Sequence, residues 1–173
     1  IQALAVQGVK HGAIHNVCSG KHAGFLAFAK HQGLDTQGYV KYEHRVQREI
    51  AGVLESVTGS EHGKDNHGID GCSIPTYEIR LDKLATAYAK FGVGEGGTPI
   101  RSAAMLRLRD ACLTHPEMIA GTGSACTGIM QALDKRAFVK YGAEGVYTAS
   151  LPELGYGIAL KVNDGAPRAA EVA

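Results

Sequence analysis

Residues 137–165 read AFVKYGAEGVYTASLPELGYGIALKVNDG, and the fold turns on how this stretch divides. Its β-branched and aromatic residues place strands at 137–140, 145–149 and 156–162, with Gly and Pro between them. The last run stops at Asn163-Asp164-Gly165, a strong turn signal. A hairpin through these strands makes the sheet at least partly antiparallel.

Working back toward the N-terminus, one more strand is argued at 74–80, and the rest reads as helix. Residues 43–58 carry Val46, Ile50, Val53, Leu54 and Val57 as a helical stripe, with Gly59 placed to end it. Residues 81–91 put Leu81, Leu84, Ala85 and Tyr88 on one face. Thr98-Pro99 is an N-cap and first-turn proline for a helix running to about His115, where Pro116 interrupts. Residues 22–31 are apolar nearly all round, which predicts a buried helix. Helices fill the first two-thirds and strands cluster late, so the chain is an α/β protein with its sheet covered by helices.

The chain of 173 residues is long enough to bury a core in a single domain. A net charge of +1, with no run of Lys and Arg, gives no footprint for nucleic acid. No stretch approaches the ~18 apolar residues of a membrane span. The 4 cysteines are widely separated and match no disulfide-rich module, which suits a reduced, cytoplasmic protein. The chain opens on Ile1, and Pro167 starts a helix that stops at Ala173, so it reads as a segment of something longer.

Two motifs fail on context. Gly92-Val93-Gly94-Glu95-Gly96-Gly97 follows a helix, whereas a dinucleotide site needs a strand before it; a connecting loop is the better reading. Gly20-Lys21 ends like a phosphate-binding loop, but His22 stands where Ser or Thr belongs.

Cys18 and Lys21 carry more. With a helix starting near Ser19 or Gly20, residues three apart project as neighbours, and an ammonium beside a thiol favours the thiolate. Such a thiol is a nucleophile or a metal ligand; the spacing also fits an inert Cys beside a surface Lys. Asp70-Gly71-Cys72 lies at the foot of the 74–80 strand and could complete a metal site with Cys18. Two thiolates suit zinc, and Asp70 could orient a ligand or bound water. His15 and His22 flank the Cys-Lys segment, while His62 and His67 fall in a solvated loop. Lys140 ends a strand; shielded from water it could act as a general base, though a surface lysine fits that place too. Gly121-Thr122-Gly123-Ser124 suits either an anion nest or a helix-capping loop. Cys112 and Cys126 read as core cysteines.

Three segments, in this order, carry a resemblance. His15-Asn16-Val17-Cys18-Ser19-Gly20-Lys21-His22-Ala23-Gly24 is similar to the central signature of the rhizobial-type L-asparaginase (asparaginase II) family. Gly68-Ile69-Asp70-Gly71-Cys72-Ser73-Ile74-Pro75 resembles its second signature. Lys140-Tyr141-Gly142-Ala143-Glu144-Gly145-Val146, with Asn163-Asp164-Gly165 and Arg168-Ala169, resembles its third.

The resemblance implies an antiparallel-containing sheet sandwiched between helical layers, as in serine β-lactamases and glutaminases. It implies hydrolysis of L-asparagine to L-aspartate and ammonia by serine–lysine chemistry, in a homodimer when full-length. Cys18, Lys21 and Cys72 would ligate zinc near the substrate, Asp70 and His22 would stand at the substrate side, and Lys140 would partner a catalytic serine. Lys21 could ligate only as the neutral amine. The family's R-S-x-x-K and S-H-x-x-E stretches do not occur here, and S-x-x-K occurs nowhere in the chain. The expectation is therefore a C-terminal half, inactive alone. A cysteine amidohydrolase using Cys18, or a non-catalytic zinc-binding fragment, are the alternatives.

Overall fold

The computed structural model describes residues 6–166. The helix expected from Pro167, and Arg168-Ala169 of the third segment, lie outside the described residues. In chain order the elements are α1 (Ser19–His31), α2 (Arg45–Thr58), β1 (His67–Ile69), β2 (Pro75–Tyr77), α3 (Leu81–Val93) and α4 (Pro99–Thr114), followed by α5 (Glu117–Ala120), α6 (Ala125–Ala132), β3 (Phe138–Tyr141), β4 (Val146–Leu151) and β5 (Tyr156–Lys161). The chain is α/β, and both of its sheets are antiparallel. It divides into two compact units: residues up to Val53 with His62–Glu78, and Leu54–Glu61 with the residues from Ile79 onward.

The second unit is built on the stretch that decided the fold. Strands β3, β4 and β5 form a meander with β4 in the middle. Tyr147, Thr148, Ala149 and Ser150 of β4 are all buried, so both faces of the strand are covered. Helix α3 lies on the face bearing Phe138, Thr148 and Ser150: Tyr88 stacks on Phe138 at 6.2 Å, and Phe91 meets the same ring at 5.5 Å. That contact needs glycine, since a Cβ on Gly157 would strike the Ala85 carbonyl and one on Gly92 the Ser150 hydroxyl. On the opposite face Tyr147 meets Cys126 of α6, and Val139 and Ala149 join Cys126 and Met130 in one buried cluster. The sheet of this unit therefore lies between helical layers.

Helix boundaries follow the sequence signals closely. Thr98 caps α4, its hydroxyl accepting from the Arg101 N–H at 3.3 Å, with Pro99 in the first turn. Gly59, at φ 67°, closes α2. Helix α3 runs two residues past the expected end and stops at Gly94, which takes φ 72°. The Gly92–Gly97 region is thus a helix end and a connecting loop, as its context required.

The first unit departs more from expectation. Helix α1 forms, but it is not buried: only Ala29 is fully covered. Gly20 and Gly24 face open space, so small residues, not a surrounding core, make this helix read as apolar. The strand expected over 74–80 is only Pro75–Tyr77, because its partner β1 is equally short. His62 and His67 are not in a solvated loop. His62 is 0% exposed and stacks on Tyr77 at 4.6 Å, while His67 lies on Tyr42 at 4.4 Å. Pairing of 67–69 with 75–77 folds this segment back and brings Tyr77 to His62, while Tyr42, from the chain before α2, stacks on His67. Among the described residues no helix is long and apolar enough to cross a membrane.

Candidate metal centre

Two local turns within the first unit bring the candidate residues together. Cys18 is the residue just before α1; its N–H is held by the Asn16 side chain at 2.8 Å, and its carbonyl accepts from the His22 N–H at 3.1 Å. The helix then carries Lys21 one turn on. Asp70 and Cys72 occupy the turn joining β1 to β2. The Ser73 N–H donates to the Asp70 carbonyl at 2.8 Å, and the Asp70 N–H to the Ile74 carbonyl at 2.9 Å. Ser73 takes the left-handed φ of 73°, an uncommon conformation for a non-glycine residue that closes the turn tightly.

The donor atoms of Cys18, Asp70 and Cys72 all lie within 4.8 Å of one another. The Cys72 thiol donates to Asp70 Oδ2 at 2.9 Å, and Lys21 Nζ donates to the same oxygen at 3.3 Å. Asp70 thus faces two protons at once. The Cys72 hydrogen bond holds its carboxyl below the usual value, and the Lys21 and Gly71 N–H donors add to this against partial burial. Burial, and then the Asp70 carboxylate, push the Cys72 thiol up. For Lys21 burial pulls the other way, but Cys72 and Asp70 outweigh it and keep the ammonium above the usual lysine value.

This donor set fits zinc. Tetrahedral zinc with bonds of about 2.0–2.3 Å separates its ligand atoms by roughly 3.3–3.8 Å, close to the mutual limit of 4.8 Å that this group keeps. Two thiolates with a hard oxygen or an amine are a borderline-soft set of the kind zinc accepts. The sequence resemblance sets Asp70 beside such a site; the structure puts its carboxylate within 4.8 Å of both thiols. The signal was present, since a carboxylate two residues before a cysteine on a tight turn reaches the same point.

His22 stands apart from this group. Its Nδ1 meets the Tyr39 hydroxyl at 2.7 Å, and its ring packs edge-on against Phe25 and Tyr39. Tyr39, 17 residues further on, carries no motif or spacing that marks it as this partner. His15 turns its Nδ1 to the Gly12 N–H at 3.0 Å.

Lys140 belongs to the second unit, on β3 opposite Thr148. Its Nζ donates to the Tyr141 carbonyl at 2.6 Å and lies 4.3 Å from the centre of the Tyr141 ring. Burial pulls the amine below the usual lysine value, with Cys126 opposing. Tyr141 lines a cavity of about 440 Å³ that also touches Ser124, Cys126, Glu144 and Tyr147. Burial and the Cys126 thiol keep the Tyr147 hydroxyl protonated far above its ordinary range. The Gly121–Ser124 segment is a helix-capping loop: the Ser124 hydroxyl accepts from the Thr127 N–H at 3.2 Å, and the Thr127 hydroxyl donates to the Gly121 carbonyl at 2.7 Å. Cys126 is a core cysteine, 1% exposed, and Cys112 packs half-buried beside it.

The model of the L-asparaginase II family matches residues 1–173. No curated protein matches the chain.

Proposed function

The chain belongs to the L-asparaginase II family, and on that premise we propose that it contributes a zinc centre and a catalytic lysine to hydrolysis of L-asparagine. The observation that carries the reading is that Lys21 and Cys72 share one oxygen of Asp70, with the Cys18 sulfur within 4.8 Å of the Cys72 and Asp70 donor atoms. Zinc would be held by the two thiolates and by Lys21 as the neutral amine, and when bound would supply a fixed positive charge at that point. Two of the protons that must leave for this to happen, on Cys72 and on Lys21, already point at Asp70 Oδ2. The thiol and ammonium protons would pass to solvent as the metal bound, and Asp70 would stay beside the ligands, accepting a hydrogen bond from the Lys21 amine.

Lys140 is the proposed base. A half-buried amine whose charge is disfavoured gives up its proton more readily than a surface lysine, and a basic amine can deprotonate an attacking hydroxyl. The hydroxyl belongs to a serine outside residues 1–173, since no Ser-x-x-Lys pair occurs within them. Attack of that serine on the side-chain amide gives a tetrahedral intermediate; collapse releases ammonia, and water then frees aspartate. A cytoplasmic homodimer of the full-length protein completes the reading.

Ammonia release from L-asparagine tests it. The full-length protein should turn over asparagine, and the Lys140→Met variant should lose about 10²–10⁴ of that rate, the usual worth of a general base. Residues 1–173 alone should release none; turnover by this chain alone would overturn the placement of the serine. Stoichiometric zinc in the purified protein, absent from Cys72→Ser, tests the metal centre separately.

A further inference from the structure

Cys18 and Cys72 are both half-buried, neither is in a disulfide, and their sulfurs lie within 4.8 Å of each other. A disulfide requires about 2.05 Å between sulfurs. Closure therefore asks for a movement of under about 3 Å, shared between two side chains. The surroundings permit it. Cys18 follows a segment in which Ile14 and Val17 are 78% and 86% exposed, and Gly71, beside Cys72, faces open space. The molecule also supplies its own contrast: Cys126 is 1% exposed within the buried cluster of the second unit.

We infer that Cys18 and Cys72 form a reversible thiol–disulfide pair oxidised by hydroperoxides, and that its oxidation dismantles the metal centre. In the first step the Cys18 sulfur attacks the peroxide oxygen. The O–O bond breaks, water leaves, and Cys18 becomes a sulfenic acid. In the second step the Cys72 sulfur attacks that sulfur and the S–O bond breaks. Asp70 Oδ2, which already accepts the Cys72 proton at 2.9 Å, relays it to the departing oxygen, so a second water leaves. Two thiols and one hydroperoxide (H₂O₂ in the test) thus give one disulfide and two waters. The sulfurs are oxidised and the peroxide is reduced. Lys21, on the same carboxylate, keeps the charge of the relay balanced.

The disulfide itself needs only the approach of the two sulfurs; the loss of metal rests on the zinc reading above. A disulfide has no thiolate to offer, so oxidised protein cannot keep zinc at this place.

Hydrogen peroxide added to the full chain, with zinc present and again after chelation, tests both parts. Tryptic mapping should show residues 11–21 joined to residues 65–80, with the intact mass falling by two hydrogens. Zinc should appear in a chromogenic chelator in step with the cross-link, and dithiothreitol should restore thiols and zinc binding together. Cys18→Ser and Cys72→Ala should each abolish the cross-link, and circular dichroism of both variants checks that they fold. Sulfinic acid on Cys18 or Cys72 with the peptides unjoined would overturn the inference, as would a cross-link persisting in Cys18→Ser. A chain that never holds zinc yet forms the cross-link sinks the zinc reading and leaves the thiol pair standing. A chain that holds zinc but forms no cross-link, even after chelation, does the reverse.

Discussion

Cys18, Lys21, Asp70 and Cys72 stand on a helix start and a hairpin turn, whereas Lys140 stands in a strand of a sheet packed between helices. The first group is held by polar contacts at partly exposed positions: the Lys21–Asp70 pair leaves 38% and 36% of its side chains open to water. The second rests on apolar burial, with Phe138 and Val139 just before Lys140 at 7% and 4% exposure. The difference teaches where each site's rigidity comes from. A centre assembled from loop ends draws much of its order from what it binds; a residue embedded in a sheet is placed by the fold itself.

The contrast breaks most visibly at Phe138. Its ring packs with Tyr88 and Phe91, and Phe138→Ala removes a buried aromatic from the sheet's core. Loss of about 3–5 kcal/mol is expected, read as a lower urea midpoint. Cys72→Ser should do the opposite. It deletes no core volume, so the metal-free midpoint should move by less than about 1 kcal/mol. Zinc affinity, measured by competition with a chelating dye, should fall by more than about 100-fold, the upper range for removing even an outer partner of a metal ligand. If Phe138→Ala costs little and Cys72→Ser unfolds the metal-free chain, the division of labour between the regions is wrong.

Asp70 sharpens the comparison through pH. Its carboxyl is held below the usual value chiefly by the Cys72 thiol, with Lys21 also contributing. A depressed folded pKa means the folded state binds fewer protons than the unfolded chain. The resulting stability is present above the unfolded carboxylate value near 4 and is lost as pH falls through the folded one. In Asp70→Asn this acid-side loss should shrink, so the variant's urea midpoint should fall less between pH 5 and pH 2 than the parent's. The effect is small because the group is exposed and screened. An unchanged acid limb would show that the hydrogen bonds to Asp70 do not persist in solution.

The sheet and most helices were legible because their signals are local and redundant. Strands β3 to β5 carry both β-forming residues and turn residues, and Thr98-Pro99 marks a helix start by its chemistry alone. Strand β1 was not legible: His67-Gly68-Ile69 has no alternation to read, and only pairing with Pro75–Tyr77 makes it a strand. Burial was legible where apolar residues line one side of an element, and misleading in α1, where Gly20 and Gly24 face open space and only Ala29 is fully covered. Cys18 and Cys72 were recognisable as a possible pair, but their meeting is a long-range contact that spacing does not encode. His62 shows the same limit: a histidine among polar neighbours in sequence is fully buried and stacks on Tyr77, which returns across the hairpin.

The smallest expected effect bears on the loop before α6, where the sequence left two readings open. Ser124 accepts from the Thr127 N–H, and the Thr127 hydroxyl donates back to the Gly121 carbonyl. The Thr127 amide, one of the free N–H groups at this helix start, is thus spent on its own cap. Ser124→Ala should cost about 1 kcal/mol, the usual worth of an N-cap hydroxyl, read as a small drop in urea midpoint with the zinc content unchanged. An anion nest would behave differently. Phosphate would raise the parent's midpoint by linkage, and the variant would lose that rise along with the cap. With a cap alone, phosphate shifts parent and variant together, and the parent–variant gap stays constant across the phosphate series. Such a gap would place Ser124 with Phe138 in the part of the molecule that is rigid without a ligand, and a widening gap would move it to the side of Cys18 and Cys72.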